Sequence, residues 1–380
     1  MSASVLDHLT LVHRLLWNRR RDIAGVQLLV ESLPAAQGLD ARHLLAVLNE
    51  LWPARAPQLL LSVRHPALLL DLLQHGRPDG PWLLLPPEAL SDAVLRPRAQ
   101  QAQARGLPLL WPDAPGLAAP NAGRPGRYRL DNAETLPPGQ LLLTPASRAQ
   151  ACTALDQRGA WAVAGWPTDE MLNELPAPAR LPDRTAISRV VRAIEQDASL
   201  DRIEALLCAE PVLSYRFLLH VNTTAPQQRG QIDTLYQGLQ VWGLRHVQAW
   251  LLDQLAQAGS EVDLQPVRLG MVLRARLIEQ LLDPGDEEDL RREVYLCGLY
   301  SQLHRLLGEP LAQLLPRLPL SQRILQALLE DSGPYHPALQ LARALEATDT
   351  RATRLLGESY GYAPQDVNRA LLRALAALTG

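Results

Sequence analysis

Leu9-Thr10-Leu11-Val12-His13-Arg14-Leu15-Leu16, then Asn18-Arg19-Arg20-Arg21-Asp22, then Ile23-Ala24-Gly25-Val26-Gln27-Leu28-Leu29-Val30, is the stretch from which the fold follows. Two apolar runs of strand length flank a polar turn, which predicts a pair of strands. The arginine triplet reads as a solvated turn, with contact to an anionic partner as the alternative. Similar short runs recur at 59–63, 82–85, 107–111, 128–130, 141–143 and 160–163. Helical spacing over 41–51 and 66–74 lies between some of them, and 112–126 is too rich in Pro, Gly and Ala for a regular element. Strands alternating with helices predict an α/β layer with a largely parallel sheet.

The grammar changes near Leu175-Pro176-Ala177-Pro178-Ala179-Arg180-Leu181-Pro182, where the prolines forbid a continuing helix. Beyond it, convincing strands are absent. Ser199 can cap a helix that carries Ile203, Leu206 and Leu207 on one face, Ser321 one with Ile324, Leu325 and Leu328, and Pro364 suits the first turn of another. Asp286-Glu287-Glu288-Asp289 suits a helix start, where the dipole favours acids. The fold class is therefore α/β plus all-α, in two domains, 1–178 and 179–380.

All 37 basic residues are arginine, against 40 acidic ones, for a net charge of −3. That balance lacks the basic excess of a phosphate-backbone binder, so no nucleic-acid partner is expected. No apolar run is long enough to span a bilayer and the first residues do not read as a secretory signal. Three separated cysteines, Cys152, Cys208 and Cys297, fit a reducing cytoplasm and form neither metal cluster nor redox pair.

From Leu181 the residues Ala209-Glu210-Pro211-Val212-Leu213-Ser214-Tyr215-Arg216, Asn222-Thr223, Val241-Trp242-Gly243-Leu244 and Leu296-Cys297-Gly298-Leu299-Tyr300-Ser301-Gln302 together resemble an HDOD domain, an all-helical module related to HD-type phosphohydrolases. Such a hydrolase needs an adjacent His-Asp pair among its metal ligands. No His-Asp dipeptide occurs, and His220, His246, His304 and His336 are isolated, so no cofactor is expected. Trp242 and Trp250, eight apart, read as one core-facing helical face. Asn222 reads as a cap or loop organiser. Arg274 and Arg276 could hold a carboxylate or phosphate; pairing with Glu279 or Asp283 is the plainer reading.

The first half resembles an EAL domain, the cyclic-di-GMP phosphodiesterase barrel, in which carboxylates at strand ends hold Mg²⁺ or Mn²⁺. Ile23 to Glu31 is similar to the strand bearing the family's Glu-Ala-Leu signature, with Gln27 at the metal-binding Glu. Ser62 stands at the ligand Asn, Pro86 at the next ligand Glu, Asp113 at the Asp-Asp pair, Arg129 at the catalytic Lys and Ala164 at the closing Gln. The resemblance implies a degenerate domain, and the region is short for a full barrel of ~250 residues, so an incomplete (β/α) barrel is expected.

Two functions stay open at this point. One is a non-catalytic cytoplasmic signalling scaffold acting on other signalling proteins, in a cyclic-di-GMP or two-component pathway. The other is an effector that binds cyclic di-GMP without hydrolysis through Arg129 or nearby arginines. An HD-type hydrolase with an unrecognised site is a third and weaker option. The partner and the oligomeric state are not legible.

Overall fold

The structure, a computed structural model, describes residues 4–33, 39–113, 126–130, 133–175, 181–224 and 231–378. Most of the loop expected over 112–126, Asp131, and 176–180 of the proline-spaced boundary lie outside the described residues.

Eight strands close into a barrel in chain order: β1 (Leu9–Trp17), β2 (Ile23–Ser32), β3 (Gln58–Val63), β4 (Trp82–Leu84), β5 (Leu109–Pro112), β6 (Arg127–Arg129), β7 (Leu141–Leu142) and β8 (Ala162–Ala164). β1 is antiparallel to both of its neighbours, β2 and β8, while every other pair is parallel. The expected incomplete barrel is thus a closed one. Economy falls on the connections: full helices follow β2, β3 and β4 (Ala41–Leu51, Pro66–His75, Leu95–Ala104), and the described residues between β6 and β7 hold none.

The turn after β1 is built by Asn18, whose Oδ1 accepts from the backbone N–H of Arg20 and Asp22 at 2.8 and 3.1 Å. Arg21 takes a positive φ of 63° there. It corrects the reading of a solvated triplet: Arg19 and Arg20 are exposed, but Arg21 is buried and paired with Asp156 at 2.7 Å. A remote carboxylate makes burial of that charge tolerable.

Two compact units emerge, Met1–Pro167 together with Gln340–Gly380, and Thr168–Leu339. They differ from a division at 178/179, because residues 340–380 group with the barrel. The reason lies in β1, which is buried along nearly its whole length and so needs cover on its outer face as well as its inner one. The helices Thr350–Tyr360 and Pro364–Ala376 supply that cover. Asn368, 2% exposed, stitches them in place. Its Oδ1 accepts from Leu11 N–H at 3.0 Å and its Nδ2 donates to the carbonyls of Leu6 and Leu9 at 2.9 and 2.8 Å. Thr350 donates to Glu31, which also pairs with Arg64 at 3.1 Å.

The same interface encloses His13. Burial depresses its imidazole to about pKa 4 against the opposing pull of Glu346 and the Leu345 backbone, and its Nδ1 has no partner. His13 is therefore held neutral.

The second unit is helical, its one β-bridge among the described residues being Asp183 with Gly259. Ser199 and Ser321 cap the helices Leu200–Cys208 and Gln322–Leu329, accepting from Arg202 and Ile324 N–H. Pro364, in the first unit, opens its helix as its sequence predicts. The helices Gln265–Leu282 and Glu288–Tyr300 pack tightly at Gly298, where an added Cβ would lie 2.5 Å from Ala275 Cα. From the first of them Arg268 forms a buried pair with Glu210, Nε to Oε1 2.9 Å, although without full hydrogen-bond geometry. Burial raises the Glu210 carboxyl and Arg268 opposes the rise, while the Arg268 guanidinium also donates to Leu181 O at 2.8 Å. Among the described residues no helix is long and apolar enough to cross a membrane.

Three outcomes follow from this packing. Asn368→Leu strands two carbonyls and one N–H in the interior, and should lower stability by about 3 kcal/mol or more in denaturant titrations. Gly298→Val should cost about 1–3 kcal/mol in the same measurement, because Ala275 backbone cannot yield. For His13 the unfolded imidazole binds its proton near pH 6.5 and the folded one near 4. Its neutral form therefore supports the fold above about pH 6.5, and about 3 kcal/mol is lost as pH falls toward 4. The stability-versus-pH curve of His13→Leu should lack that share of the slope; parallel curves would refute it.

Candidate functional site

Leu16, Leu60, Leu84, Leu110, Tyr128, Leu141, Ala162 and Ala164 fill the barrel interior. Side chains two apart on a strand share a face, so Arg14 and Ser62 also point inward. Gln27 lies opposite Arg14 and beside Leu60 in the strand register and shares that face. These three residues form a polar layer at the C-terminal ends of the parallel strands, the face on which such barrels place chemistry.

The layer is specific in its bonding. Gln27 Nε2 donates to Ser62 Oγ at 2.7 Å, while Gln27 Oε1 is buried with no partner. Arg14 spans the mouth and donates from Nη1 to Leu143 O at 3.1 Å, just past β7. Burial pulls its guanidinium below the ordinary value, and no carboxylate pairs with it among the described residues. Gly165 clears its path: a Cβ there would lie 3.3 Å from Arg14 Cδ, and its φ of +83° favours glycine in any case.

The other residues marked by the sequence divide. Ala164 sits in the interior against Leu16. Pro86 begins the turn after β4, where Leu85 O accepts from Tyr128 OH at 2.8 Å. That tyrosine is buried, and burial raises its hydroxyl well above the usual range. Asp113 and Arg129 do meet, but outside the layer. Tyr128 points inward, so its neighbours Arg127 and Arg129 point to the opposite face. There Arg129 binds Asp113 through Nε at 3.1 Å and through Nη2, and Arg127 stands 3.6 Å from the same carboxylate. Arg14, which the sequence reading did not single out, is the arginine of the mouth. Its signal was the alternation back from Leu16.

In the helical unit Asn222 organises a loop as expected: its Nδ2 donates to Leu218 O and Ile232 O at 2.8 Å each, and its Oδ1 accepts from Ile232 N–H. Arg274 does not pair with Glu279 or Asp283. It is 4% exposed and donates to Ser301 Oγ at 3.4 Å, and with the Gln302 amide oxygen turned toward it, to that oxygen at 2.9 Å. Arg276 lies instead beside Tyr295 and Glu279. Trp242 and Trp250 do not share one helix, because Gly243, at φ +79°, separates Leu235–Trp242 from Leu244–Ala256. They still cluster, with Phe217 and with His220, whose ring centroid lies 4.7 Å from Trp242 and 5.7 Å from Trp250. Among the described residues no group of three or more His, Cys, Asp or Glu could hold a metal ion.

No known family's model matches the chain. It is similar to the uncharacterized protein YuxH of Bacillus subtilis, 24% identical over 192 residues, covering 50% of this chain and 42% of that protein. It is also similar to the cyclic di-GMP phosphodiesterase CdgJ of Vibrio cholerae, 27% identical over 175 residues, covering 46% of this chain and 40% of that protein. The chain thus spans about two-fifths of the length of these curated relatives. Among solved structures, the MmoQ response regulator from Methylococcus capsulatus aligns with a TM-score of 0.41 at 15% identity, over 52% of this chain and 99% of that one.

A half-buried guanidinium with one hydrogen bond and no counter-charge burdens the fold. Arg14→Met should therefore leave stability unchanged or raise it by about 1 kcal/mol, read as the denaturation midpoint; a loss of 2 kcal/mol or more would show Arg14 to be structural.

Proposed function

We propose that the chain is a regulatory protein of cyclic-di-GMP-linked signalling, made of a degenerate EAL-like barrel and an HDOD-like helical unit. It acts in the cytoplasm by binding other signalling proteins and does not hydrolyse the dinucleotide. The similarity to CdgJ supports the pathway. The observation that carries the non-catalytic part is the Gln27–Ser62 hydrogen bond at the mouth, facing Arg14.

Hydrolysis of a phosphodiester by paired divalent cations needs several hard, charged oxygen ligands converging on one place. At this mouth an amide donates to a hydroxyl, both neutral, and a guanidinium adds positive charge where a cation would have to sit. Asp113 is committed to two arginines on the other face of the sheet. These residues do not fit Mg²⁺ or Mn²⁺. The purified protein should show no turnover of cyclic di-GMP with either cation; turnover that disappears in Gln27→Ala would sink the reading.

One observation favours a second reading, an effector that binds the dinucleotide without cutting it. Arg14 presents a cation at the mouth with most of its donors unused, and phosphate is the natural complement of a guanidinium. Arg129, already held by Asp113, is a poor candidate for that role. Calorimetry separates the two: saturable heat with cyclic di-GMP, lost in Arg14→Gln and retained in Arg129→Gln, would select the effector. No heat in the wild type at high micromolar ligand would leave the protein-binding reading.

A further inference from the structure

Arg14 at the barrel mouth carries a charge that the described residues leave uncompensated. Its one hydrogen bond among them runs from Nη1 to Leu143 O at 3.1 Å, and burial lowers its guanidinium with no carboxylate opposing the fall. Nε and Nη2 remain as donors on one edge of the fork. Ser62 adds another. Its Oγ accepts from Gln27 Nε2 at 2.7 Å, and its own O–H donates to no described residue. Gln27, 3% exposed, holds this arrangement although its Oε1 is left without a partner. A reversed amide would take the Ser62 proton; as the amide stands, that proton is left for the mouth. A layer that presents donors in this way calls for an acceptor from outside.

What surrounds these donors is apolar. Leu29 lies two residues past Gln27 and beside Ser62 in the register, so it shares their face. Leu130 follows the inward-facing Tyr128 at the same spacing, its carbonyl accepting from Thr144 N–H at 3.0 Å in continuation of the ladder. It is 50% exposed at this position. Leu143 adds to the wall from the end of β7. The charge on this face narrows the choice of ligand. Arg127 and Arg129 point away from it, and Arg64, two residues beyond Ser62, is already paired with Glu31 at 3.1 Å. One uncompensated guanidinium matches a single negative charge, and its planar fork matches a carboxylate.

We propose that the barrel mouth binds a medium-chain aliphatic monocarboxylate, its head held by Arg14 and Ser62 and its tail lying against Leu29, Leu130 and Leu143. A free phosphate would leave the leucines without a partner, and an alcohol or an amine would leave the guanidinium without one. The inference rests on the reading that the mouth holds no divalent cation, and it names an occupant other than the dinucleotide. It also gives a use to a guanidinium that otherwise burdens the fold.

The test is calorimetry on the full chain with octanoate, beside 1-octanol and octylamine, which keep the tail, and acetate and inorganic phosphate, which keep only an anionic head. Octanoate should bind saturably with Kd below about 1 mM, and each of the other probes at least tenfold more weakly. From butanoate to octanoate each added methylene should tighten binding by about two- to fourfold. Arg14→Gln, and Leu130→Asp at an exposed position, should each weaken octanoate at least tenfold, while Arg129→Gln, on the other face, leaves it unchanged. The proposal is overturned by absence of saturable binding at about 10 mM octanoate, by 1-octanol or phosphate binding as well as octanoate, or by Arg14→Gln binding unchanged. Should Arg14→Gln fail to fold, Leu130→Asp and the probe series on the wild type decide. Turnover of cyclic di-GMP, measured separately, tells the two readings apart: no octanoate binding and no turnover strikes this inference alone, whereas turnover strikes the metal-free mouth on which it rests.

Discussion

Every other feature of the barrel unit depends on burying both faces of β1. That strand closes the barrel by pairing antiparallel with β2 on one side and β8 on the other. A strand so placed has no solvent side to spare, and its outer face is as apolar as its inner one. The three hydrogen bonds of Asn368 hold the covering helix at the right depth. They also satisfy the backbone of Leu6, Leu9 and Leu11 where the chain enters the strand, which an apolar side chain could not do. A buried amide here works as a register pin.

The barrel mouth owes its character to the side chains that the register brings there. The strands deliver them to one layer at their C-terminal ends. What arrives is an amide, a hydroxyl and a guanidinium, so the layer attracts anions and hydrogen-bonding groups where a hydrolytic one would concentrate cations. The acid nearest in sequence to the expected pair is turned to the far face and neutralised there by Arg127 and Arg129. Two local facts, the inward aim of Tyr128 and the outward aim of its neighbours, decide that outcome.

Local signals were legible and remote ones were not. The strand pair around Asn18, the caps at Ser199 and Ser321, Pro364 and the loop role of Asn222 each depend on residues within about ten positions, so the chain states them directly. Arg21 was misread because the partner that buries it is Asp156, on the far side of the barrel sequence. Trp242 and Trp250 kept their cluster but not their helix, since a single glycine at positive φ outweighs a helical spacing. Asn368 looked like any polar position on an amphipathic helix; its partners are more than 350 residues away. Arg14 needed only the register of β1 against β2, and that register is a tertiary fact.

The stitch between Leu11 and Asn368 has a consequence for biosynthesis. The strand that closes the barrel is made well before the helix that shields it, with all of residues 168–339 translated in between. Cotranslational folding usually proceeds domain by domain from the N-terminus. This unit cannot follow that order, because β1 must wait with a bare apolar flank until the helix Pro364–Ala376 has left the ribosome. Long-range closure of this kind is slow and leaves the nascent chain exposed to aggregation, so early chaperone engagement should matter more for this barrel than its size suggests.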